Sequence, residues 1–350
     1  MLLVVPCKGA EPGLAENLGA ILRQDISNVR YLFVTESDED SAVPIIDRAI
    51  ETFGKGERLV AGSAVDEGQK VHNLRFACQN LPNETDIIAF ADSDARPSEH
   101  WLSDLISPLA EHGVGASSGY RWFVSKSGSP AGMLLAVWNA SIASALGADK
   151  QGNFCWGGSM AIKREDFDAL DVAGRWRGAI SDDFMLTESV KDAGNGVHFE
   201  PKCLTVSVAE TDFESLWEFT RRQMLITRVY SPVHFRISFV GSTLFVLALL
   251  AAIAGAVFAP SPHGVIFLSM LAFVLILGSL KSFVRLRAVT GCLPEGAKLF
   301  RAQLLPQILL WPFSSILFFL NCVAATLSNR IVWRGIGYEL VSKNETILRR

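Results

Sequence analysis

Two aspartates at the end of an apolar run have the types and spacing for chemistry. Ile87–Ala91 has the pattern of a buried strand, and Asp92 and Asp94 follow it one residue apart. Carboxylate oxygens suit Mg²⁺ or Mn²⁺, which proteins hold through one or two carboxylates together with substrate phosphates. The same residues are typical of a strand-to-helix turn in which Asp94 and Ser98 cap the following helix. On the two aspartates alone, a metal–diphosphate site and a helix cap are equally good interpretations.

A second acidic pair, Asp182 and Asp183, follows Ser181 at the predicted start of a helix. Ser181 or Asp182 would cap that helix, which leaves Asp183 in its first turn. A carboxylate fixed there could accept a proton from an alcohol and so serve as a general base. Acids are also routine in first helical turns for electrostatic reasons, so the pair has a purely structural alternative.

A lysine and a glycine pair are further candidates. Lys70 lies between the predicted third and fourth strands, where its ammonium group could contact a diphosphate as a point charge. Gly157 and Gly158 allow a ligand to approach the backbone closely, although glycine pairs are also common in ordinary turns.

The elements that must position these residues alternate between strand and helix. The predicted strands are residues 2–5, 29–35, 59–64 and 87–91, and the predicted intervening helices include 14–22 and 43–53. Such alternation predicts an α/β fold with a mainly parallel sheet, in which ligands bind beyond the carboxyl ends of the strands. Residues 6–9, 36–38 and 92–94 each follow a strand, so we expect them to share one rim. This expectation favours the metal–diphosphate interpretation of Asp92 and Asp94.

Composition divides the chain into a polar first part and an apolar second part. Hydrophobic residues make up 49% of the chain, charged residues only 19%, and the mean hydropathy is +0.28. Residues 237–280 and 302–329 contain no Asp, Glu, Lys or Arg. We therefore predict a globular domain over 1–236, a membrane domain over 237–330 and a basic tail over 331–350.

Charge and cysteine usage exclude some classes of function. The net charge of −4, without a basic stripe, argues against a nucleic acid as the main partner. The six cysteines form no C-x-x-C pair and are predicted to be reduced thiols. The N-terminal residues lack the pattern of a signal peptide, so the first domain is expected in the cytosol.

Three apolar segments are predicted in the membrane domain, at 239–259, 265–283 and 304–327. The loop after the second carries Lys281, Arg285, Arg287, Lys298 and Arg301, which indicates a cytoplasmic loop. Prolines interrupt the third segment, which either spans the membrane or re-enters it. The side on which the tail lies depends on that choice.

Several motifs together resemble a known family. They are residues 68–74 (GQKVHNL), 91–95 (ADSDA), 181–183 (SDD), the basic cluster around Arg222, and 333–338 (WRGIGY). Their order resembles the inverting glycosyltransferases of family 2 and most closely the ceramide glucosyltransferase family, family 21. The resemblance covers nearly the whole chain. It implies a GT-A-type nucleotide-diphosphosugar transferase domain followed by C-terminal transmembrane helices.

The resemblance also implies roles for individual residues. Asp92 is expected to help hold the nucleotide sugar, Asp94 to bind Mg²⁺ or Mn²⁺, and Asp183 to be the catalytic base. Lys70 is expected on the donor side. The residues expected on the acceptor or diphosphate side are Gly157, Gly158, Asp182, Arg222, Gln223 and Arg228. The family's Arg-Trp motif is replaced here by Leu225-Ile226, and Arg228 is a candidate to supply the missing charge.

The implied reaction transfers a hexose, expected to be glucose, from a UDP-sugar to a lipid hydroxyl such as that of ceramide. The expected location is the bacterial inner membrane, with the catalytic domain in the cytoplasm. The expected reaction would belong to sphingolipid metabolism. Residues 130–146, with Trp138, are predicted to form a buried or interfacial helix, which in the second case would border the route of the lipid. The alternatives are a polysaccharide-forming synthase of family 2 and an inactive membrane-anchored scaffold. The sequence leaves the oligomeric state open.

Overall fold

The computed structural model describes residues 1–79, 81, 84–208, 210–293 and 296–349. Its strands are β1 Leu2–Pro6, β2 Arg30–Thr35, β3 Glu57–Val60, β4 Ile87–Ala91, β5 Val114–Val124, β6 Ser159–Lys163, β7 Gly196–Val208, β8 Arg330–Trp333, β9 Ile336–Ser342 and β10 Glu345–Arg349. Its helices in the first half are α1 Leu14–Leu22, α2 Val43–Phe53, α3 Gln69–Gln79, α4 Trp101–Ile106, α5 Pro130–Ala143, α6 Arg164–Ala169, α7 Val172–Arg175 and α8 Asp182–Asp192. The later helices are α9 Phe213–Tyr230, α10 Pro232–Phe258, α11 His263–Cys292, α12 Ala297–Ala302, α13 Leu304–Leu309 and α14 Trp311–Leu327. The predicted membrane domain and tail include positions 294, 295 and 350, which lie outside this description.

The chain folds into two units. The first, which we call the sheet unit, contains Met1–Trp122, Ala145–Ser207 and Arg330–Arg350. The second, which we call the helical unit, contains Phe123–Ser144 and Val208–Asn329. The basic tail, which sequence analysis separates from the first domain, therefore folds with the sheet unit.

A seven-stranded sheet in the order β3-β2-β1-β4-β6-β5-β7 forms the centre of the sheet unit. Neighbouring strands from β3 to β4 are parallel, whereas β6 runs antiparallel to both β4 and β5. The prediction of a mainly parallel α/β sheet is thus confirmed. All five residues of β1 are buried, as a central strand covered on both faces requires.

Helices α1, α2 and α4 bury apolar faces against this sheet. Leu18, Ile46 and Leu102 are fully buried in one cluster with Val5 and Phe33. Burial of this kind of surface is the main stabilising term of the fold.

The predicted third strand is misplaced by a few residues. It was expected over 59–64 but covers Glu57–Val60. Ala61 still donates a backbone hydrogen bond to Thr35, and Gly62 then takes a left-handed conformation, with φ of 81°. That conformation turns the chain out of the strand, which explains the early end.

The tail forms a three-stranded antiparallel sheet in the order β10-β9-β8. Ile331, Tyr338 and Leu340 are buried within the sheet unit. The basic tail predicted over 331–350 is therefore an integral part of the globular fold.

The helical unit contains two helices long and apolar enough to cross a membrane, Pro232–Phe258 and His263–Cys292. Their apolar side chains are largely exposed, for example Leu244, Leu250 and Phe273. The third apolar stretch is divided into α13 and α14, with Pro312 in the first turn of α14. Because α14 has 17 residues, it is shorter than the ~20 residues that a spanning helix needs.

Helix α5 is mainly buried within the helical unit and ends at Ala143 rather than at 146. Trp138 has no exposed surface and stacks on Phe318, with ring centroids 4.6 Å apart. Phe219 contacts the same indole edge-on. Of the two predicted alternatives, buried or interfacial, the helix is therefore buried at Trp138.

Candidate active site

The loop after β4 carries Asp92 and Asp94 without capping a helix. Helix α4 begins at Trp101, its preceding residue is His100, and no side chain caps it. The loop is held instead by Asn17, whose amide donates to the carbonyl of Ser93 at 3.1 Å. The helix-cap interpretation of Asp94 is therefore wrong, and both carboxylates remain available at the rim of the sheet.

The other predicted rim residues meet in the same way. Lys8, after β1, forms an ion pair with Glu36, after β2. The backbone N–H of Gly9 donates to Asp40 at 2.8 Å. The expected common rim is thus confirmed, as parallel strands require.

Lys70 joins the two acidic pairs. Its Nζ lies 2.7 Å from Oδ1 of Asp92 and 3.2 Å from Oδ1 of Asp182. Burial would lower the pKa of Lys70, but attraction to Asp182, Asp92 and Asp183 outweighs it and raises the pKa. The lysine is therefore a fixed positive charge between carboxylates that lie about 90 residues apart in sequence.

Ser181 caps helix α8 and places Asp182 in the interior. The Ser181 hydroxyl accepts from the N–H of Phe184. Of the two residues predicted to cap this helix, Ser181 and Asp182, Ser181 is therefore the one that does so. Asp182 is 2% exposed, and burial together with Asp183 and Asp92 raises its pKa to about 7, against the opposing effect of Lys70. Its Oδ2 is buried and has no hydrogen-bond partner among the described residues.

Asp183 is partly exposed and has one carboxylate oxygen less constrained than the other. Its Oδ1 accepts from the Ser181 hydroxyl and from the N–H of Phe184 at 2.8 Å. Its Oδ2 accepts from the N–H of Gly157 at 3.3 Å. This arrangement fixes the side chain while Oδ2 keeps the capacity to accept a proton.

Antiparallel pairing of β6 with β4 brings the glycine pair to the acidic residues. Ser159 at the start of β6 pairs with Ala91 at the end of β4, so Gly157 and Gly158 lie beside the Asp92 loop. A Cβ on Gly157 would lie 2.4 Å from Oδ2 of Asp182. Any side chain at this position would therefore displace the Asp182 carboxylate or the Lys70 ammonium group.

Asp94 is the residue best suited to a divalent cation. Burial and the neighbouring Asp92 raise its pKa, while Arg121 and Lys70 lower it. Its Oδ1 is buried without a hydrogen-bond partner among the described residues. The side chain is otherwise 41% exposed, so a cation could reach the site and give the buried Oδ1 a partner, and the residue fits Mg²⁺ or Mn²⁺.

The protein would supply few ligands to such an ion. No group of three or more acidic, histidine or cysteine side chains in the described part of the chain is arranged to hold a metal. This limited set suits a cation that keeps waters and binds substrate phosphates, as Mg²⁺ does.

Sequence reasoning missed Arg121 as a site residue. It lies on β5, with its Nη1 4.0 Å from Oδ2 of Asp94 and its guanidinium over the ring of Trp156, 5.2 Å from the centroid. The available signal was a charged residue within an otherwise uncharged strand. It supplies positive charge beside the Asp94 carboxylate.

Three predicted residues lie on α9 in the helical unit. There Arg228 donates to Asn329, and the guanidinium of Arg222 lies over Phe219, 5.4 Å from the ring centroid. The carbonyl of Gln223 accepts from Thr227 at 2.8 Å. The roles of these three residues on the acceptor or diphosphate side stay predictions.

This fold and the clustered aspartates at its sheet rim define a glycosyltransferase domain of the GT-A, nucleotide-sugar class. The family model for glycosyl transferase family 21 matches residues 2–346. The chain belongs to that family.

One solved structure shares the fold at low sequence identity, and a second is similar over a smaller part of the chain. A mannosyltransferase from Pyrobaculum calidifontis, in complex with GDP-Man and Mn²⁺, is similar over 93% of this chain and 85% of its own, with a TM-score of 0.52 and 18% identity. Glucosyl-3-phosphoglycerate synthase from Mycobacterium tuberculosis, in complex with phosphoglyceric acid, is similar over 65% of this chain and 78% of its own, with a TM-score of 0.43 and 13% identity.

Proposed function

We propose that this protein transfers a hexose from a UDP-sugar to the hydroxyl of a membrane lipid, with inversion at the anomeric carbon. The observation that carries the proposal is the convergence of Asp92, Lys70, Asp182 and Asp183 at the carboxyl rim of a family 21 transferase sheet. Glucose is the proposed sugar and ceramide the proposed type of acceptor.

Each acidic residue has a proposed role. Asp94, with its buried and unpartnered oxygen, is proposed to hold Mg²⁺ or Mn²⁺. The ion would neutralise negative charge on the nucleoside diphosphate as it leaves. The GDP-Man and Mn²⁺ in the similar mannosyltransferase support a divalent ion together with a nucleotide sugar. Asp92 is proposed to orient the donor.

Asp183 is proposed to take the proton from the acceptor hydroxyl. Among the described residues, Oδ2 accepts one hydrogen bond, from Gly157 at 3.3 Å, whereas Oδ1 is held by two donors. Removal of the proton as the hydroxyl oxygen attacks the anomeric carbon would form the glycosidic bond while the diphosphate departs. The half-buried Lys70 is proposed to place positive charge beside that diphosphate.

A lipid acceptor is supported by the two long apolar helices. The most apolar 18-residue windows of α10 and α11 are 6% and 0% buried, respectively. Burying such exposed apolar surface in a bilayer is favourable, whereas leaving it in water is not. We propose that α10 and α11 cross the membrane.

The tail supports an even number of crossings. Residues 145–207, which precede α9 and α10, and residues from Arg330 onward belong to the same sheet unit, and a folded unit lies on one side of a membrane. The chain that leaves this unit at Val208 must therefore return to the same side by Arg330. Two crossings by α10 and α11 satisfy that requirement, so we propose that α14 re-enters or lies at the membrane surface.

The orientation follows from the distribution of positive charge. Helix α11 continues to Cys292, beyond the predicted end at 283, so Arg285 and Arg287 lie in its last two turns, on the side to which the chain has returned. The turn between the crossings, Ala259–Pro262, is uncharged. By the positive-inside rule the returning side, with the sheet unit, is cytoplasmic.

Membranes containing the protein, incubated with radiolabelled UDP-glucose, test the proposal. We expect Mn²⁺-dependent label in a lipid extract. Label confined to insoluble polymer would instead support a polysaccharide synthase. Absence of metal-dependent transfer from a panel of UDP-sugars would overturn the proposed activity and favour a scaffold.

A further inference from the structure

The C-terminal sheet β8–β10 contacts the two segments that carry the acidic cluster. One is the start of α3, where Gln69 immediately precedes Lys70. The other is residues 178–181, which lead into Asp182 and Asp183. These contacts join parts of the chain more than 160 residues apart.

Thr346 holds the second of these segments from a buried position. Its hydroxyl donates to the carbonyl of Gly178 at 2.7 Å, and the residue is 3% exposed. Gly178 has a φ of 70°, and a Cβ there would lie 2.0 Å from the carbonyl oxygen of Asn344. The backbone of Gly178 is therefore fitted closely against the turn between β9 and β10.

Asn344 and Lys343 add contacts on the same side. The Asn344 amide donates to the carbonyls of Arg175 and Arg177, at 2.8 and 3.2 Å. Lys343 forms a 2.6 Å ion pair with Glu188 on α8. The helix that begins with Asp182 is thus contacted both before its start and along its length.

Tyr338 holds the first segment. Its hydroxyl accepts from the backbone N–H of Gln69 at 3.3 Å, and the residue is 2% exposed. This N–H belongs to the first turn of α3, where backbone donors lack partners within the helix. Tyr338 therefore supplies an acceptor at the helix end that carries Lys70.

The two segments are also joined directly to one another. Gly68 donates to the carbonyl of Ala179 at 2.8 Å, and Gly178 donates to Glu67 at 3.3 Å. A shift of either segment would therefore move the other, and with it the Lys70–Asp182 ion pair.

We propose that Thr346 and Tyr338 are positioning residues for the transfer reaction. Thr346 sets the backbone that leads to Asp183, and Tyr338 sets the start of the helix that carries Lys70. The inference rests on the proposed function, since it concerns the same acidic cluster. By this proposal the C-terminal strands contribute to catalysis without contacting the substrate.

Hydroxyl-deleting variants of the purified full-length protein separate the two roles. Thr346→Val should lower kcat about tenfold, the size expected for one buried hydrogen bond, with the affinity for UDP and Mn²⁺ unchanged. Thr346→Ser, which keeps the hydroxyl, should restore most of kcat. Tyr338→Phe should weaken UDP affinity several-fold, because it acts on the Lys70 side.

Ser342→Ala is the matched control, because that exposed hydroxyl contacts its own turn, where it accepts from the N–H of Asn344 at 3.3 Å. It should leave kcat and UDP affinity unchanged. Equal losses in Thr346→Ser and Thr346→Val, or wild-type kinetics in Thr346→Val, would overturn the role of Thr346. Wild-type UDP affinity in Tyr338→Phe would overturn that of Tyr338.

The proposed function can fail separately from this inference. If the wild-type protein transferred no sugar, the proposed activity would fail, while calorimetric titration of UDP and Mn²⁺ would still test Tyr338. For Thr346, amide hydrogen exchange over residues 178–183 would then replace kcat. Faster exchange in Thr346→Val than in Ser342→Ala supports positioning, and equal exchange contradicts it.

Discussion

The acidic residues of the site differ in environment, although they look alike in sequence. Asp182 is buried against Lys70, Asp94 has an unpartnered buried oxygen, and Asp183 is partly exposed with a fixed side chain. Environment rather than residue type sets the protonation chemistry of carboxylates. This difference is why one aspartate is proposed for the metal and another for the proton.

Asp94→Asn should remove the effect of Mn²⁺ on donor binding. An amide oxygen binds a divalent cation more weakly than a carboxylate, so the gain in UDP affinity on adding Mn²⁺ should fall about tenfold or more. Calorimetric titration of UDP with and without Mn²⁺ measures this gain. Asp104→Asn on α4, a partly exposed position, is the control. A Mn²⁺ gain unchanged in Asp94→Asn would remove Asp94 as the metal residue.

Gly157→Ala should block the site without unfolding the protein. The added Cβ would lie 2.4 Å from Oδ2 of Asp182 and 2.5 Å from Nζ of Lys70, so both side chains must shift away from it. Displacements near 1 Å can cost about 10²-fold in rate, and we expect a loss of that order in labelled-sugar transfer. Gly147→Ala, where a Cβ meets no atom within 4 Å, is the control. Equal activity of both variants would contradict the described geometry.

Among the secondary-structure elements, the sequence predicted the strands that end at the rim better than the strands that pack beside them, β6 and β8–β10. The apolar run of β4 and the Asp92 loop are local patterns, and both were found. The antiparallel return of β6 and the packing of β8–β10 depend on contacts between distant residues. Periodicity within a segment carries no information on such contacts, so the packing of the tail was not predicted, although its residues 333–338 contributed to the family resemblance.

An ion pair between the buried Glu67 and the half-buried Arg75 holds the segment before α3 in place. Glu67 is 1% exposed as a residue, and its carboxylate accepts from Arg75 at 2.5 Å and from Gly178 at 3.3 Å. Glu67→Ala would remove the carboxylate partner of the half-buried Arg75, which keeps only its hydrogen bond to the carbonyl of Ala173 among the described contacts, at a cost of about 3 kcal/mol in unfolding free energy.

The thermal midpoint in detergent, followed by intrinsic fluorescence, should therefore fall by roughly 5 °C or more in Glu67→Ala. Glu51→Ala on the exposed face of α2 should stay within a degree or two of wild type, about the size typical of surface substitutions. A Glu67→Ala midpoint equal to that of Glu51→Ala would show that the ion pair does not stabilise the fold.

At the scale of the whole molecule, the order of the chain constrains its path through a membrane. From the sequence alone, the third apolar segment could either span the membrane or re-enter it. The break at Leu310, the 17-residue length of α14 and the return of the tail to the sheet unit all support the proposal that this segment does not cross the membrane. These are long-range features, which hydropathy alone does not reveal.

Fluorescent-protein and alkaline-phosphatase fusions in a bacterial host test this path. Both N- and C-terminal fluorescent-protein fusions should fluoresce, and phosphatase fused after Ser261 should be active outside the cytoplasm. Active phosphatase at the C-terminus, with a fluorescent N-terminus, would mean an odd number of crossings and would contradict the proposal.

The central claim is that one acidic cluster binds the donor and performs the transfer, with Asp183 as the base. Paired measurements on Asp183→Asn test it most directly: calorimetric affinity for UDP with Mn²⁺, and the rate of labelled-sugar transfer to lipid. We predict unchanged affinity within about twofold and a rate lowered by ~10²–10⁴, the contribution of a positioned general base. Asp192→Asn at the exposed end of the same helix should retain both. Wild-type transfer by Asp183→Asn would contradict the claim.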